Sequence, residues 1–257
     1  MLLAIDIGNT NIVFGLFRGA ELAGAWRVRT DREATADELL LKLGGLLRLA
    51  GYSTADVSGA AVACVVPPLS GPVAELCRRL GVQPVMVSAE AAGIEIHYDS
   101  PREVGADRLA NAVAAWDKFS RAMLVVDFGT ATTFDYVTAQ GAYGGGIIAP
   151  GIVSAAEALF QKASRLPRAE LFARPAGVIG RDTSSCLNSG LVLGFAALVD
   201  GLVERARAEV GELFVVATGG LAPYIAPHSR AIQAVEENLI LEGLRLIHQR
   251  VTGKDVG

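Results

Sequence analysis

The sequence contains few cysteines, and their spacing is not that of a metal site or a redox motif. Cys64, Cys77 and Cys186 lie far apart in a chain of 257 residues. Zinc sites and dithiol motifs need cysteines in close pairs along the chain, and no such pair occurs here. We therefore expect the three cysteines to be small, buried, apolar residues.

The sequence also lacks a basic run and a secretory leader. Its 23 Lys and Arg residues are outnumbered by 27 Asp and Glu residues, and no cluster of positive charge offers a surface for nucleic acid. Asp6 interrupts the N-terminal apolar run before the apolar core of a signal peptide could form. We expect a cytoplasmic protein that does not bind nucleic acid.

One weakly charged stretch, from Thr183 to Val199, raises the question of a membrane span. Ser184, Ser185 and Asn188 lie inside this stretch, where a lipid-exposed helix would carry apolar side chains. A buried helix of a globular protein explains the stretch better, and we expect no contact with a membrane.

Hydrophobic residues make up 51% of the chain and charged residues 19%, which excludes a disordered protein. The opening pattern of the chain recurs later. The segment 4–9 matches the segment 125–130, so that Asp6 aligns with Asp127 and Gly8 with Gly129. Each copy reads as a β-hairpin with a polar turn. The repeat predicts a duplicated α/β fold, with halves at 1–120 and 121–257 and a cleft between them in which ligands would bind.

Local patterns predict helices in both halves of the chain. Thr35 followed by Glu38 is a capping box, which predicts a helix from about 36 to 50. A second helix is predicted between Val104 and Phe119, with Asp107 in its first turn. The last helix, from about 236 to 250, is assigned to the second half.

A further helix, predicted from 184 to 209, carries Gly190, Gly194 and Gly201. Glycine is unfavourable inside a helix unless another backbone must approach closely. Close packing between helices is the simplest explanation for these three glycines.

The turn Asp6-Ile7-Gly8-Asn9-Thr10 has the composition of a phosphate-binding loop. Glycine and small polar residues let backbone N–H groups approach an anion. The turn is neither a Walker loop nor a dinucleotide fingerprint, because no Gly-Lys-Ser/Thr follows and the chain leaves it as a strand. An Asp in this position suits Mg²⁺, although an ordinary hairpin turn capped by Asp is the alternative.

These motifs, in this order, resemble those of the type III pantothenate kinases, and the resemblance covers almost the whole chain. It implies the actin-like, sugar-kinase-like fold of two ribonuclease-H-like domains. The matching segments are Asp6–Thr10, Gly105–Arg108, Asp127–Thr133, Gly145–Gly151, Gly180–Thr183, Thr218–Gly220 and Leu239–Leu244.

The resemblance implies an ATP site with Mg²⁺, to which Asp6 contributes indirectly. It also makes Asp127 the ligand of a monovalent cation, K⁺ or NH₄⁺, although the residues alone equally allow a second contact to Mg²⁺. The implied ATP contacts are Asp6, Ile7, Gly8, Asn9, Thr10, Asn11, Ile12, Val13 and Thr130.

For the second substrate, the resemblance makes Asp107 the proton acceptor for the pantothenate hydroxyl. The implied substrate contacts are Tyr98, Gly105, Ala106, Asp107, Arg108 and Thr183. The helix dipole would keep Asp107 ionised, and Arg108 would offer a fork of donors to a carboxylate or phosphate. The alternative is that Asp107 merely begins a helix and Arg108 is solvated. Asp182 departs from the family pattern, in which Asn is common, and this weakens the assignment of Thr183.

The function implied is ATP-dependent phosphorylation of pantothenate to 4'-phosphopantothenate, by a homodimer, as the first step toward coenzyme A. A sugar or acetate kinase on the same fold is one alternative, although such kinases are generally longer. A nucleotide-binding filament or regulator without catalysis is another, and the retention of Asp6, Asp107 and Asp127 argues against it.

Overall fold

A computed structural model describes residues 1–162 and 172–253 of the chain. These residues form two compact units. The first contains Met1–Phe119 together with the chain from Leu239 onward, and the second contains Ser120–Asn238. Each unit is built on a mixed five-stranded sheet with helices, which confirms the predicted α/β fold.

The strands and helices of the first unit are β1 (Leu2–Ile7), β2 (Asn11–Arg18), β3 (Glu21–Arg29), α1 (Ala36–Leu49), β4 (Gly59–Cys64), α2 (Ser70–Arg79), β5 (Pro84–Met86), α3 (Ala89–Ala92), α4 (Ala106–Phe119) and α9 (Leu239–Thr252). Those of the second unit are β6 (Met123–Phe128), β7 (Ala131–Val137), β8 (Tyr143–Pro150), α5 (Ile152–Lys162), α6 (Thr183–Asn188), α7 (Gly194–Val210), β9 (Phe214–Thr218), α8 (Ala222–Ile225) and β10 (Ala234–Val235).

The two sheets have the same topology, which confirms the predicted duplication. The strand order is β3-β2-β1-β4-β5 in the first unit and β8-β7-β6-β9-β10 in the second. In both, the first three strands are antiparallel, and the remaining two run parallel to the central strand. The repeated hairpins differ in one respect. Ile7 pairs with Ile12, whereas Phe128 pairs with Thr132, so the turn of the second copy is one residue shorter.

Helix α1 forms where the capping box predicts it. The Thr35 side chain accepts a hydrogen bond from the backbone N–H of Glu38, and the Glu38 carboxylate accepts one from the backbone N–H of Thr35 at 2.8 Å. The apolar stripe of the helix, including Leu39, Leu43 and Leu47, is buried against one face of the first sheet. Local sequence alone therefore determined where this helix begins.

The last helix, α9, differs from its predicted assignment because it belongs to the first unit. Its residue Leu241 lies against Gly15. Gly15 pairs with Ala4, so α9 covers the sheet face opposite α1, the face to which Asp6 also belongs. Helix α9 also packs against α4, and Arg250 donates a hydrogen bond to the Ala92 carbonyl at 3.1 Å. An apolar stripe does not reveal which sheet it covers. The position of α9 late in the sequence therefore led to its assignment to the second half.

The long helix of the second unit is continuous from α6 through a π-helical turn (Ser189–Leu193) into α7. Ala196, Val199 and Val203 are buried in the core of that unit. By length and composition this helix could cross a membrane, but core helices of soluble proteins meet the same criteria, so the observation is weak evidence. The prediction of a buried helix holds for one face only.

The opposite face of this helix is exposed and formed by small residues. Cys186, Gly190 and Gly194 are exposed, so the expectation that Cys186 is buried is wrong. Among the described residues, a Cβ added at Gly190, Gly194 or Gly201 would meet no atom within 4 Å. Close packing against the described parts of the chain therefore does not explain these glycines.

Candidate active site

The proposed phosphate turn lies at the end of the β1–β2 hairpin. Asp6 is the penultimate residue of β1 and pairs with Val13 across the hairpin. Ile7 and Ile12 flank the turn and are fully buried, which anchors it in the core. Asn9 and Thr10, at its tip, are exposed.

Gly8 closes the turn. Its N–H donates to the Asn11 carbonyl at 3.0 Å, and a Cβ at Gly8 would lie 3.2 Å from that oxygen. A side chain at this position would push against the turn itself, since few real Cβ contacts are so short. The glycine thus lets the chain reverse tightly while the tip remains open to solvent.

Two residues that sequence reasoning missed hold the turn from outside. The Thr30 hydroxyl donates to the Gly8 carbonyl at 2.6 Å, and the Thr30 N–H donates to the Thr10 carbonyl at 2.9 Å. Arg32 donates to Oδ1 of Asn9 at 2.7 Å. The signal that could have revealed them is the pairing of β2 with β3, which brings the end of β3 alongside the turn.

Asp107 is the second residue of α4 and is partly buried. Its Oδ1 accepts a hydrogen bond from the Arg108 N–H at 2.8 Å. Burial raises the pKa of this carboxyl, and the N–H and the charge of Arg108 only partly oppose the shift. The sequence predicted that the helix dipole keeps Asp107 ionised, whereas in the structure burial is the larger influence. A Cβ at Gly105 would strike the Asp107 carboxylate, so Gly105 makes room for it.

Arg108 is buried, with 8% of its surface exposed, so the alternative of a solvated arginine is wrong. Tyr98 is 40% exposed and lies in the same unit. The strand that carries Asp6 and the helix that carries Asp107 both pack against α9. The elements that carry the turn and the Gly105–Arg108 tetrad thus pack against the same helix of the first unit.

Asp127 and Thr130 occupy equivalent positions in the second unit. Asp127 lies on β6 and pairs with Thr133 and Thr218. Gly219 has a φ of +88°, and a Cβ there would strike the Asp127 carboxylate and the backbone of Phe128. The glycine after β9 is therefore required for the carboxylate to keep its place.

Thr130 forms the tip of the second turn and is exposed. Its carbonyl accepts a hydrogen bond from the Ser154 hydroxyl at 2.9 Å. A Cβ at Gly151 would strike that same carbonyl, so the start of α5 lies directly against the turn. The Gly145–Gly151 run noted in the sequence thus ends at a point of close backbone contact.

Thr183 is the exposed first residue of α6. Asp182 caps this helix, because its Oδ1 accepts from the Ser185 N–H at 2.9 Å, and hydrogen bonds from Ser185 lower the Asp182 pKa. Asn caps a helix about as well as Asp, which gives a physical reason for their exchange here. Asp182 and Ser184 line an open concavity of about 450 Å³, together with Arg174, Arg181 and other residues of 173–188.

The predicted site residues are thus divided between the units. Those from Asp6 to Val13 and from Tyr98 to Arg108 lie in the first unit, and Asp127, Thr130 and Thr183 lie in the second. Within residues 1–162 and 172–253, no group of three His, Cys, Asp or Glu side chains could hold a metal ion.

Comparison with known proteins gives a consistent result. A family model for type III pantothenate kinase matches residues 2–205. A type III pantothenate kinase from Syntrophobacter fumaroxidans is 49% identical over 253 residues, covering 97% of this chain and 98% of that protein. One from Desulfosudis oleivorans is 53% identical over 250 residues, covering 96% and 98%.

The fold is also found in solved structures. Component A of (R)-2-hydroxyglutaryl-CoA dehydratase from Acidaminococcus fermentans superimposes with a TM-score of 0.61, covering 98% of this chain and 99% of that chain. The two sequences are 14% identical, so this similarity shows the fold alone.

Proposed function

The chain belongs to the type III pantothenate kinases, and on that premise we propose that Asp107 accepts the proton of the pantothenate hydroxyl. The enzyme's reaction is the ATP-dependent phosphorylation of pantothenate in coenzyme A biosynthesis.

The environment of Asp107 supports its role as the base. A general base works best when its pKa approaches the operating pH, and burial moves the pKa of Asp107 in that direction. The Arg108 N–H holds one oxygen of the carboxylate in place, which orients the group that would accept the proton. Because phosphoryl transfer passes through a loose transition state, Asp107 orients the hydroxyl first and takes its proton late.

ATP is held by residues 6–13 and Thr130 in this proposal. Kinases of this fold use a divalent metal with ATP, and we assign Mg²⁺ here, with Asp6 contributing indirectly. Carboxylate oxygen beside a phosphate-binding turn is the ligand type that Mg²⁺ favours, because the ion keeps several waters while bridging phosphates. Bound there, the ion would neutralise charge on the transferred phosphoryl group.

Pantothenate contacts are proposed for Tyr98, Gly105, Ala106, Arg108 and Thr183. The burial of Arg108 beside Asp107 supports this assignment, since a guanidinium held in a fixed position can bind a carboxylate through two parallel hydrogen bonds. Thr183 lies beside the concavity of the second unit and is open to a ligand.

Asp127 is proposed as the ligand of a monovalent cation, K⁺ or NH₄⁺. Gly129 and Gly219 leave the surroundings of its carboxylate free of side chains at those positions. A cation there would offset the repulsion between the carboxylates of the site and the phosphates of ATP.

The enzyme is proposed to be a cytoplasmic homodimer. The exposed face of small residues that includes Gly190 and Gly194 supports this, since glycines that no described side chain approaches suit close contact with a second copy. Thr183 is exposed at the start of the same long helix, which favours its contributing to the site of the neighbouring subunit.

The decisive experiment is mass spectrometry of pantothenate incubated with the protein, ATP, Mg²⁺ and K⁺. We expect phosphopantothenate from the wild type and almost none from Asp107→Asn, although the variant still binds ATP. A near-normal kcat for Asp107→Asn would refute the assignment of the base. Product from a sugar or acetate, but not from pantothenate, would refute the substrate, and failure to phosphorylate any of them would favour a regulator without catalysis.

A further inference from the structure

The segment after β3 is attached to the phosphate turn at three points. Thr30 donates from its hydroxyl to the Gly8 carbonyl at 2.6 Å and from its N–H to the Thr10 carbonyl at 2.9 Å. Arg32 donates from its guanidinium to Oδ1 of Asn9 at 2.7 Å. Three consecutive residues of the turn are thus held by two residues that lie outside it.

The bonds from Thr30 determine which way the peptide groups of the turn face. In a planar trans peptide, the carbonyl of one residue and the N–H of the next point in opposite directions. The Gly8 carbonyl faces Thr30, so the N–H of Asn9 faces away from Thr30. The Gly8 N–H is already bonded to the Asn11 carbonyl. Thr30 therefore fixes the orientation of an amide at the tip of the turn.

The bond from Arg32 fixes the Asn9 side chain in the same way. With Oδ1 bound to the guanidinium, the Nδ2 amide group is directed away from Arg32. Arg32 also places a positive charge beside Asn9 at the tip of the turn, where it would attract phosphate oxygens.

The supporting segment is itself fixed at both ends. It follows the edge strand β3, which pairs with β2 as far as Arg29. It ends at Thr35, whose capping box with Glu38 starts α1. Within it, the Ala34 N–H bonds to the Asp31 carbonyl, which closes a turn. The segment can therefore hold the phosphate turn in one conformation.

We propose that Thr30 and Arg32 are positioning residues for ATP, which keep the backbone N–H and the side-chain amide of Asn9 directed toward the phosphates. This inference rests on the proposed assignment of residues 6–13 to phosphate binding. Because neither residue belongs to the Gly105–Arg108 tetrad, their loss should weaken the binding of ATP while the KM for pantothenate stays nearly unchanged.

The test compares Thr30→Val, which keeps the shape and removes the hydroxyl, with Thr30→Ser, which restores it. Losing one such hydrogen bond should raise the KM for ATP about tenfold in Thr30→Val. The KM for pantothenate should change less than about twofold, and Thr30→Ser should recover most of the affinity for ATP. Arg32→Gln should act in the same direction, with Arg18→Gln, an exposed arginine at the far end of β2, as the matched control.

A purely structural role would give a different result. Partial unfolding lowers the apparent kcat and leaves both KM values unchanged, and that outcome would overturn the inference, as would an equal rise in both KM values. Asn9→Ala separates the positioning role of Thr30 and Arg32 from the assignment of residues 6–13 to phosphate binding. If it raises the KM for ATP while Thr30→Val and Arg32→Gln do not, only the positioning role fails. If none of the three variants affects ATP, the phosphate-turn assignment fails too.

Discussion

Gly243 in the last helix lies directly against the main chain of Ala110 in α4, the helix that carries Asp107. A Cβ at Gly243 would strike the carbonyl and the Cα of Ala110, so the two helices approach as closely as glycine permits. The position of the proposed catalytic base thus depends on a residue 136 positions later in the sequence, counted from Asp107 to Gly243.

The first prediction concerns this contact. Gly243→Ala should lower the free energy of unfolding by about 3 kcal/mol, because the clash is with backbone, which cannot turn aside. Gly45→Ala is the control, since its Cβ would meet nothing within 4 Å, and it should raise stability by up to about 1 kcal/mol. Urea denaturation measures both. Equal midpoints for Gly243→Ala and wild type would show that the helices are further apart.

The second prediction concerns catalysis by Asp107. Asp107→Asn should reduce kcat by about 10²-fold to 10⁴-fold, the range usual for loss of a general base, with ATP binding nearly unchanged in a calorimetric titration. Because burial raises the Asp107 pKa, the apparent pKa of the acid limb of the kcat/KM profile should be above about 3.9, the usual value for aspartate. An apparent pKa at or below that value would indicate that a different group is titrating.

The third prediction gives the effect of the same residue on stability. The Asp107 pKa is higher in the folded protein than in the unfolded chain, so the folded state binds the proton more tightly. Its contribution to stability is complete at acidic pH, below the unfolded pKa, and is lost as the pH rises through the folded pKa. Asp107→Asn should therefore be more stable than wild type at neutral pH, and the difference should shrink on acidification. Urea midpoints measured across this pH range test this prediction. A difference between Asp107→Asn and wild type that grew on acidification would contradict it.

The fourth prediction tests the homodimer. Gly194→Leu should fold normally, because a Cβ at Gly194 would meet open space among the described residues, but should be monomeric by light scattering. Gly71→Leu, at another open helical position, should remain a dimer. Cys186 should react with a thiol reagent faster in the monomeric variant than in wild type. Cys77, whose pKa burial raises to about 12, should stay unreactive in both. A monomeric wild type would refute the proposed homodimer.

The fifth prediction addresses the monovalent cation. Replacing K⁺ by a bulky organic cation should lower the activity of wild type about tenfold or more, because the repulsion that K⁺ offsets would return. Asp127→Ala should have low activity that no longer responds to K⁺. If Asp127→Ala keeps the full response to K⁺, the cation binds elsewhere.

Short-range patterns predicted much of this structure. The capping box of Thr35 and Glu38 located the start of α1, and the matching Asp6 and Asp127 hairpins revealed the duplication, because each depends on residues close together in the chain.

What the sequence could not provide depends on contacts between distant segments. The burial of Arg108 and the exposure of Cys186 arise from packing, which no local pattern encodes. The attachment of Thr30 to Gly8 could be inferred only once the pairing of β2 with β3 was known. The assignment of α9 to the wrong half has the same cause, since the Leu241 contact with Gly15 spans most of the chain.

The placement of α9 also affects how the protein is made. The second unit is one uninterrupted stretch, from Ser120 to Asn238, inserted into the first. On a ribosome it could fold as soon as it emerges, whereas the first unit must wait, although most of it is synthesised earlier. Until the chain as far as Thr252 has been released, α4 lacks the helix that packs against it. A nascent or truncated chain would therefore expose the apolar face of α4, which makes the interval before release the period of greatest risk of aggregation.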